Sequence, residues 1–470
     1  MNQQLQQDLD YLPLLLEKAL KESIAYLDQI DTHLTSHAVN PSFTPIPLYN
    51  EGIGTEAVLQ EFLTTYQSIM VATSGPRYLG FVTGGTTPAS IVGDWLKTVY
   101  DQNAFNASGQ GDISAMLELD TIRLLLELLD LPRHFIGGFV TGATMSNFTC
   151  LATARQWAGK QVGKNIALDG MESPFPVLTA TPHSSIMKSL SMLGMGSRNI
   201  ITVPRMGEER EAIDWIALEK ELETRSGQPC ILISSGGTVN TVDFDDMQAI
   251  AALKERYNFW WHIDAAFGAF AVCSPEHKHL LKGWEHADSI TIDCHKWLNV
   301  PYDSAIFLVQ EQHKSLKTET FQNANAPYLG DPAEHFSYLN LLPENSRSLR
   351  ALPAWFTLKA YGKEGYRDIV QNSIAMAQQL GTWIDCHPQL QLLAPVRLNT
   401  VCFTIAVHSK DRAKVNAFLS DLNHRGKVFM TPTHYRSAFG VRAAFVNWRT
   451  RPEDIQLIIQ EIEAALDATA

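Results

Sequence analysis

Along the middle of the chain, short runs that are apolar at nearly every position alternate with longer stretches whose apolar residues recur every three or four places. The runs are Ile200-Ile201-Thr202-Val203, Ile231-Leu232-Ile233, Trp260 to Ile263, Ile290-Thr291-Ile292 and Ile306-Phe307-Leu308. A short run with no polar face predicts a strand buried on both sides. Its alternation with helical periodicity predicts an α/β unit with a mostly parallel sheet, spanning about 76–345. Helices are expected at Phe148 to Gly159 and Ser184 to Leu193. Residues 1–75 read as helices, with Leu12, Leu15, Leu16, Ala19 and Leu20 on one face. The stretch Asn40-Pro41-Ser42-Phe43-Thr44-Pro45-Ile46-Pro47 breaks them like a linker. Residues 346–470 have an α+β pattern: a helix from Trp355, a strand at Thr400 to Thr404, a helix from Asp411, a strand near Arg442 and a last helix from Pro452 to Leu466.

Composition narrows the classes. The chain is 45% hydrophobic and 19% charged, ordinary for a globular enzyme. A net charge of −13 argues against nucleic acid or an anionic membrane as partner. No stretch is long and apolar enough to span a bilayer. Met1 to Ile30 is amphipathic and carries acidic residues, unlike a signal peptide. The six cysteines are scattered without a Cys-x-x-Cys pair, which points to reduced thiols and a cytoplasmic protein. His262, His277, His286, His295 and His313 show no metal-ligand spacing, so no metal is expected.

Candidate chemistry collects where the strands end. Asp293-Cys294-His295-Lys296-Trp297 follows Ile290 to Ile292 and puts an amine at the rim of the sheet. Such an amine can form an imine with a carbonyl cofactor, and pyridoxal phosphate uses a lysine this way. Asp264 ends the run Trp260-Trp261-His262-Ile263, a carboxylate suited to the cofactor's ring nitrogen, and Ala265 and Ala266 leave room for a flat ring. Thr141-Gly142-Ala143-Thr144 joins an apolar run to a helix, a place where free N–H groups can cradle a phosphate. His183, in Thr181-Pro182-His183-Ser184-Ser185, can stack on an aromatic cofactor. Each has a plainer reading alone: a solvated lysine, helix caps at Asp264 and Thr144, a structural histidine.

Together, in this order, the four segments resemble the group II pyridoxal-phosphate-dependent amino-acid decarboxylases. His295-Lys296-Trp297-Leu298-Asn299-Val300-Pro301-Tyr302-Asp303 is similar to that family's lysine signature. His262-Ile263-Asp264-Ala265-Ala266-Phe267 resembles its His-Val-Asp-Ala-Ala-Tyr strand, and Gly236 to Asp245 occupies the place of its Gly-Thr-Thr turn. Similarity runs from about 50 to 465 and includes Ser346-Arg347, Trp355 and Val441-Arg442. The resemblance implies fold type I, like aspartate aminotransferase: a large domain (76–345) with a seven-stranded, mostly parallel sheet, a small α+β domain (346–470) and a helical dimerisation arm (1–75). It implies a homodimer. It makes Lys296 the Schiff-base lysine, Asp264 the partner of the pyridine nitrogen and His183 the ring-stacking residue. Gly142, Ala143, Thr144 and His295 would hold the phosphate, with Asp293 nearby, and Thr238 and Ala266 would touch the cofactor. Tyr338, in the loop Asp331 to Glu344, falls where decarboxylases carry a mobile, proton-donating tyrosine. Two departures stand out: Val239 where the turn has a second threonine, and Met145 where many members have glutamate.

The implied reaction is decarboxylation of an L-amino acid to its amine. The pocket is expected from Tyr78 to Thr87 and, from a neighbouring subunit, Asp101 to Gly111, with Tyr78, Phe81 and Phe105 as aromatic walls. Arg77 is the one arginine adjoining these stretches, so an aromatic substrate is favoured over an acidic one. Open alternatives are an acidic or diamino substrate, transamination, aldehyde formation or retro-aldol cleavage on the same fold, and a binding protein without turnover. The lysine motif and Tyr338 speak for amine formation. Lys296, Asp264 and His183 together speak against a protein without turnover.

Overall fold

The computed structural model describes residues 2–37, 45, 47–48, 50–105, 112–322 and 336–469. In chain order the helices are α1 (Gln3–Asp10), α2 (Leu12–Asp28), α3 (Thr55–Thr65), α4 (Pro88–Tyr100), α5 (Ser114–Leu128), α6 (Ala143–Gln161), α7 (Ile166–Asp169), α8 (Ser184–Met192), α9 (Trp215–Thr224), α10 (Met247–Lys254), α11 (Lys314–Phe321), α12 (Ala351–Cys386), α13 (Arg412–His424) and α14 (Pro452–Thr469). The strands are β1 (Phe135–Val140), β2 (Val177–Thr179), β3 (Ile200–Thr202), β4 (Ile231–Ser235), β5 (Trp260–Asp264), β6 (Ser289–Asp293), β7 (Ala305–Gln310), β8 (Leu390–Leu392), β9 (Thr400–Ile405), β10 (Thr431–Tyr435) and β11 (Ala438–Ala444).

Seven strands form one sheet in the order β1-β7-β6-β5-β4-β2-β3. Only β7 runs against its neighbours; the rest are parallel. Successive residues feed two cores, one on each face. Ile231, Ile233, Trp260, Ala305, Phe307 and Val309 pack with α6 and α8. Leu232, Trp261, Ile263, Ile306 and Leu308 pack with α5, α10 and the start of α12. This two-sided burial is the physical reason that the runs are apolar at every position. Because the parallel strands share a direction, the ends of β1, β2, β4, β5 and β6 open on one edge.

The second sheet is antiparallel, β10-β11-β9-β8, and shares a core with α13, α14 and the later part of α12. The segment after Arg77 joins it: Leu79 N–H bonds Phe429 O, and Ala444 N–H bonds Leu79 O. The N-terminal region packs there too. Ile30 is buried, Thr35 N–H bonds Gly426 O at 2.7 Å, and Arg77 pairs with Asp454 at 2.6 Å. On α2, Leu15 is buried, whereas Leu12, Leu16 and Leu20 are 44%, 55% and 42% exposed. Most of the expected linker 40–47 lies outside the described residues.

Two helices start earlier than their periodicity suggests: α6 at Ala143 instead of Phe148, and α12 at Ala351 instead of Trp355. The first turn of α6 is small and polar, so no apolar stripe marks it.

The outer edge of β1 is closed by side chains. Glu118, on α5, accepts from Phe139 N–H at 2.7 Å. Arg347 donates to Phe139 O at 2.9 Å and to Glu118 at 2.6 Å, both side chains being fully buried. Tyr338 donates to Gly137 O at 3.2 Å.

Candidate active site

The ends of β2, β4, β5 and β6 bound a cavity of about 280 Å³, lined by His183, Asp264, Ala266, Lys296, Phe81 and Arg442 among others. Lys296 lies just beyond β6 with its amine 3.2 Å from Asp293 Oδ2. His295 Nε2 lies 3.2 Å from Asp293 Oδ1. Burial alone would raise the Asp293 carboxyl, but Lys296 and His295 outweigh it and hold it below the ordinary carboxylate value. The lysine turn is fixed from three sides. Trp297 Nε1 bonds Ser373 on α12 at 3.1 Å, and Asn299 Nδ2 bonds Val446 O at 2.9 Å. Gly84 lies so close that a Cβ there would sit 1.5 Å from Lys296 O, so only glycine fits.

Asp264 ends β5, the neighbour of β6. Its Oδ2 accepts from Asn147 Nδ2 at 3.1 Å and its Oδ1 from Ala266 N–H at 3.2 Å. His183 caps α8: its Nδ1 lies 2.8 Å from Ser185 Oγ and 3.2 Å from Ser185 N. The ring therefore caps the helix and also lines the cavity. Burial pushes its pKa below the ordinary histidine value; Asp264 opposes the shift and Lys296 adds to it.

Gly142 is the N-cap of the 19-residue α6 and supplies no side-chain cap. The first-turn N–H groups at Ala143 and Thr144 have no partner within the helix. A Cβ on Gly142 would lie 3.5 Å from the His295 ring, so this bare helix start faces an imidazole. Uncapped N–H groups at the positive end of a helix, beside a histidine, fit a phosphate. The amine and the carboxylate on the cavity, with this cradle beside the His295 that adjoins Lys296, fit pyridoxal phosphate.

Other expected residues stand differently. Thr238 lines the cavity, but its hydroxyl donates to the buried Glu211 at 2.5 Å and is spent there. Tyr338 is fully buried, with its hydroxyl on Gly137 O in mid-strand and its ring 4.5 Å from the Arg347 guanidinium. Gly137 lies three residues before the end of β1, roughly 10 Å back from the rim. This corrects the expectation of a proton donor at position 338: the phenol closes the sheet edge instead. Tyr78 stacks on Phe429 at 4.6 Å and does not line the cavity. Phe105 O accepts from Tyr338 N–H and Ser337 Oγ, and residues 106–111 and 323–335 lie outside the described residues. Phe81 is 63% exposed at the cavity mouth.

Arg442, on β11, is a cavity residue to which the sequence reading gave no role. It lines the cavity, donates to Val239 O at 2.9 Å, and its buried Nε has no partner among the described residues. Among the described residues it enters no ion pair. Its signal was its place in the C-terminal stretch of similarity, where an arginine among apolar residues, Gly440-Val441-Arg442-Ala443-Ala444, needs a reason.

Comparison with known proteins agrees with this geometry. The pyridoxal-dependent decarboxylase conserved domain matches residues 49–406. An aromatic-L-amino-acid decarboxylase of Bacillus atrophaeus is 28% identical over 403 residues, 83% of this chain and 81% of that protein. A phenylacetaldehyde synthase of Petunia hybrida is 25% identical over 78% of this chain and 76% of its own. Among solved structures, Catharanthus roseus tryptophan decarboxylase in complex with L-tryptophan superposes with a TM-score of 0.87 at 20% identity, covering 98% of this chain and 99% of that one. Oryza sativa TDC with PLP and tryptamine also gives 0.87, at 21% identity, covering 98% of each.

Proposed function

Because the chain belongs to the pyridoxal-dependent decarboxylase family, we propose that it removes the α-carboxylate of an aromatic L-amino acid and releases the amine. When bound, pyridoxal phosphate supplies an aldehyde that condenses with amines and a ring that accepts the electron pair left by CO₂. The chain supplies the rest. Lys296 would hold the cofactor through its amine. Asp264 would pair with the ring nitrogen and favour its protonated form. His183 and Ala266 would bound the ring, and Ala143, Thr144 and His295 would hold the phosphate. Arg442, which enters no ion pair among the described residues, takes the substrate's carboxylate. With Tyr338 in the core, the Lys296 amine, on the cavity and beside Asp293, is the proton carrier we assign among the described residues.

The observation that carries this reading is the placement of Lys296 and Asp264 at adjacent strand ends on one cavity. Support for an aromatic side chain comes from Phe81 at the mouth and from relatives with aromatic substrates in their names. Arg442 favours a second reading, an acidic substrate such as glutamate, whose side chain would engage it. Release of CO₂ and of amine from purified holoenzyme, across aromatic, acidic and diamino substrates, separates the two. Aldehyde and peroxide measured alongside separate decarboxylation from the aldehyde-forming reaction.

The protein acts as a homodimer in this reading. The exposed leucines of α2, with Trp95 and Val99 of α4 at 45% and 68% exposure, leave apolar faces that a second copy would cover. A cytoplasmic setting is supported by six free cysteines and by the absence, among the described residues, of a helix long and apolar enough to cross a membrane.

A further inference from the structure

Between α6 and the sheet lies a line of buried polar side chains in an otherwise apolar core. Trp260 Nε1 lies 3.0 Å from Ser289 Oγ, and Ser289 Oγ 2.9 Å from His262 Nδ1. His262 Nε2 lies 2.9 Å from Asn147 Oδ1. Asn147 Nδ2 reaches both Asp264 Oδ2 and Ser185 Oγ at 3.1 Å, and Ser185 Oγ reaches His183 Nδ1 at 2.8 Å. Trp260, Ser289, His262 and Asn147 are all fully buried. Burial of so many polar groups costs stability unless every one is paired, so the pairing is a constraint on each proton.

The protons can be placed by elimination. A carboxylate accepts only, so the Asn147 amide nitrogen must face Asp264, and its oxygen must face His262. His262 Nε2 therefore carries the proton. Its Nδ1 is then bare and accepts from Ser289, which in turn accepts from the indole N–H. On the other branch, Asn147 donates to Ser185 Oγ, so the Ser185 proton points to His183 Nδ1. That nitrogen also accepts from Ser185 N–H. His183 therefore carries its proton on Nε2, the nitrogen left for the cavity.

We propose that Asn147 is a positioning residue for the reaction. One amide holds Asp264 in place as an acceptor and, through Ser185, fixes the tautomer of His183, so the groups assigned to the ring nitrogen and the ring face are set by one side chain. His262 locks that amide from behind and does not touch the cavity. Burial pushes His262 down to about 4, with Asp264 opposing, so its ring is neutral at neutral pH. The charged groups facing His183 are Asp264, Lys296, Arg442 and Asp293.

This inference rests on Asp264 and His183 serving the cofactor ring, and the test separates the two claims. Neutron diffraction from wild-type holoenzyme crystals shows the deuterons directly. Deuterium on Nε2 of both His262 and His183 is expected. Deuterium on Nδ1 of either ring overturns the tautomer argument, whereas a cofactor ring remote from Asp264 overturns the underlying assignment. Variants give the second measurement. His262→Leu removes the donor to Asn147, while His262→Gln keeps an N–H near the Nε2 position. We expect His262→Leu to lower kcat/KM roughly tenfold to a hundredfold and to shift the pH titration of the holoenzyme's visible absorption band, with His262→Gln recovering most of both. Equal losses in the two variants at equal thermal stability would mean that His262 acts by packing alone, and would overturn the positioning role.

Discussion

Lys296 has no substitute among the residues that line the cavity, since no second amine does so. Lys296→Ala should leave phosphate binding in place but abolish turnover, with no borohydride-trappable cofactor on the protein. A trapped adduct on another lysine would overturn that role. Asp264→Asn should retain cofactor and slow the reaction by roughly a hundredfold or more, because an amide cannot balance a ring cation. A near-normal kcat would remove Asp264 from the mechanism. Tyr338→Phe belongs to a different argument. It deletes one buried hydrogen bond, to Gly137 O, at a cost of about 1 kcal/mol. Denaturant titration should show that loss, with the ratio of amine to aldehyde unchanged; a shifted ratio would return the phenol to the reaction. At this scale Lys296 and Asp264 were legible because a strand end announces which side chain meets the rim. Tyr338 was not, since an aromatic residue in a connecting stretch reads alike whether it faces solvent or, as here, a gap beside a sheet edge. Thr238 is placed on the cavity, as expected from its turn, but nothing near it in sequence reveals that Glu211 takes its proton.

Elements were legible wherever burial was two-sided. The runs that form β4 to β7 are apolar on both faces, and no surface helix shares that pattern. The polar exceptions, His262 in β5 and Ser289 in β6, carry a pH consequence. His262 titrates near 4 in the fold and near 6.5 in an unfolded chain. Above about pH 6.5 both states are neutral and the ring adds no pH dependence. Between 6.5 and 4 the unfolded chain binds a proton that the fold refuses, so stability falls on acidification by at most roughly 3 kcal/mol. Urea unfolding of wild type and His262→Gln from pH 7 to 5 should show the difference between them narrowing or reversing as pH drops; parallel curves would contradict it. Lys317 on α11 is the second such exception. It is fully buried, its amine has no hydrogen-bond partner among the described residues, and it sits 3.9 Å from the Phe307 ring and 4.8 Å from Phe321. Burial pushes its pKa down to about 7, with the ring faces supplying partial compensation. The unfolded chain holds that proton up to about pH 10.4, so the cost to the fold grows as pH falls from there to about 7, is full at and below about 7, and vanishes above that range. Lys317→Met should therefore stabilise by about 1–3 kcal/mol at pH 7, a gain that shrinks toward pH 10. A loss at pH 7 would show that the aromatic faces repay the desolvation in full.

For the whole molecule, alternation of strand and helix was readable, but how the parts lean on one another was not. We propose the three units 1–75, 76–345 and 346–470 as the organisation of the chain, yet Leu79 pairs with Phe429 and Ala444, and Thr35 with Gly426. Such contacts between distant residues leave no local pattern. Deleting residues 2–28 removes α1 and α2 with their exposed leucines and leaves Ile30 and Thr35 seated. Sedimentation should then show loss of the dimer with activity falling alongside, and an active dimer without those helices would place the interface elsewhere. The closed margin of β1 has a consequence beyond catalysis. A sheet can recruit any extended chain to a free margin, and that is how folded proteins seed fibrils. Here the Phe139 amide and the Phe139 and Gly137 carbonyls are already engaged by Glu118, Arg347 and Tyr338. A stray strand finds no docking register there, so Arg347→Met, which frees the Phe139 carbonyl and strands Glu118, should raise thioflavin-positive aggregation at concentrations where the parent stays clear.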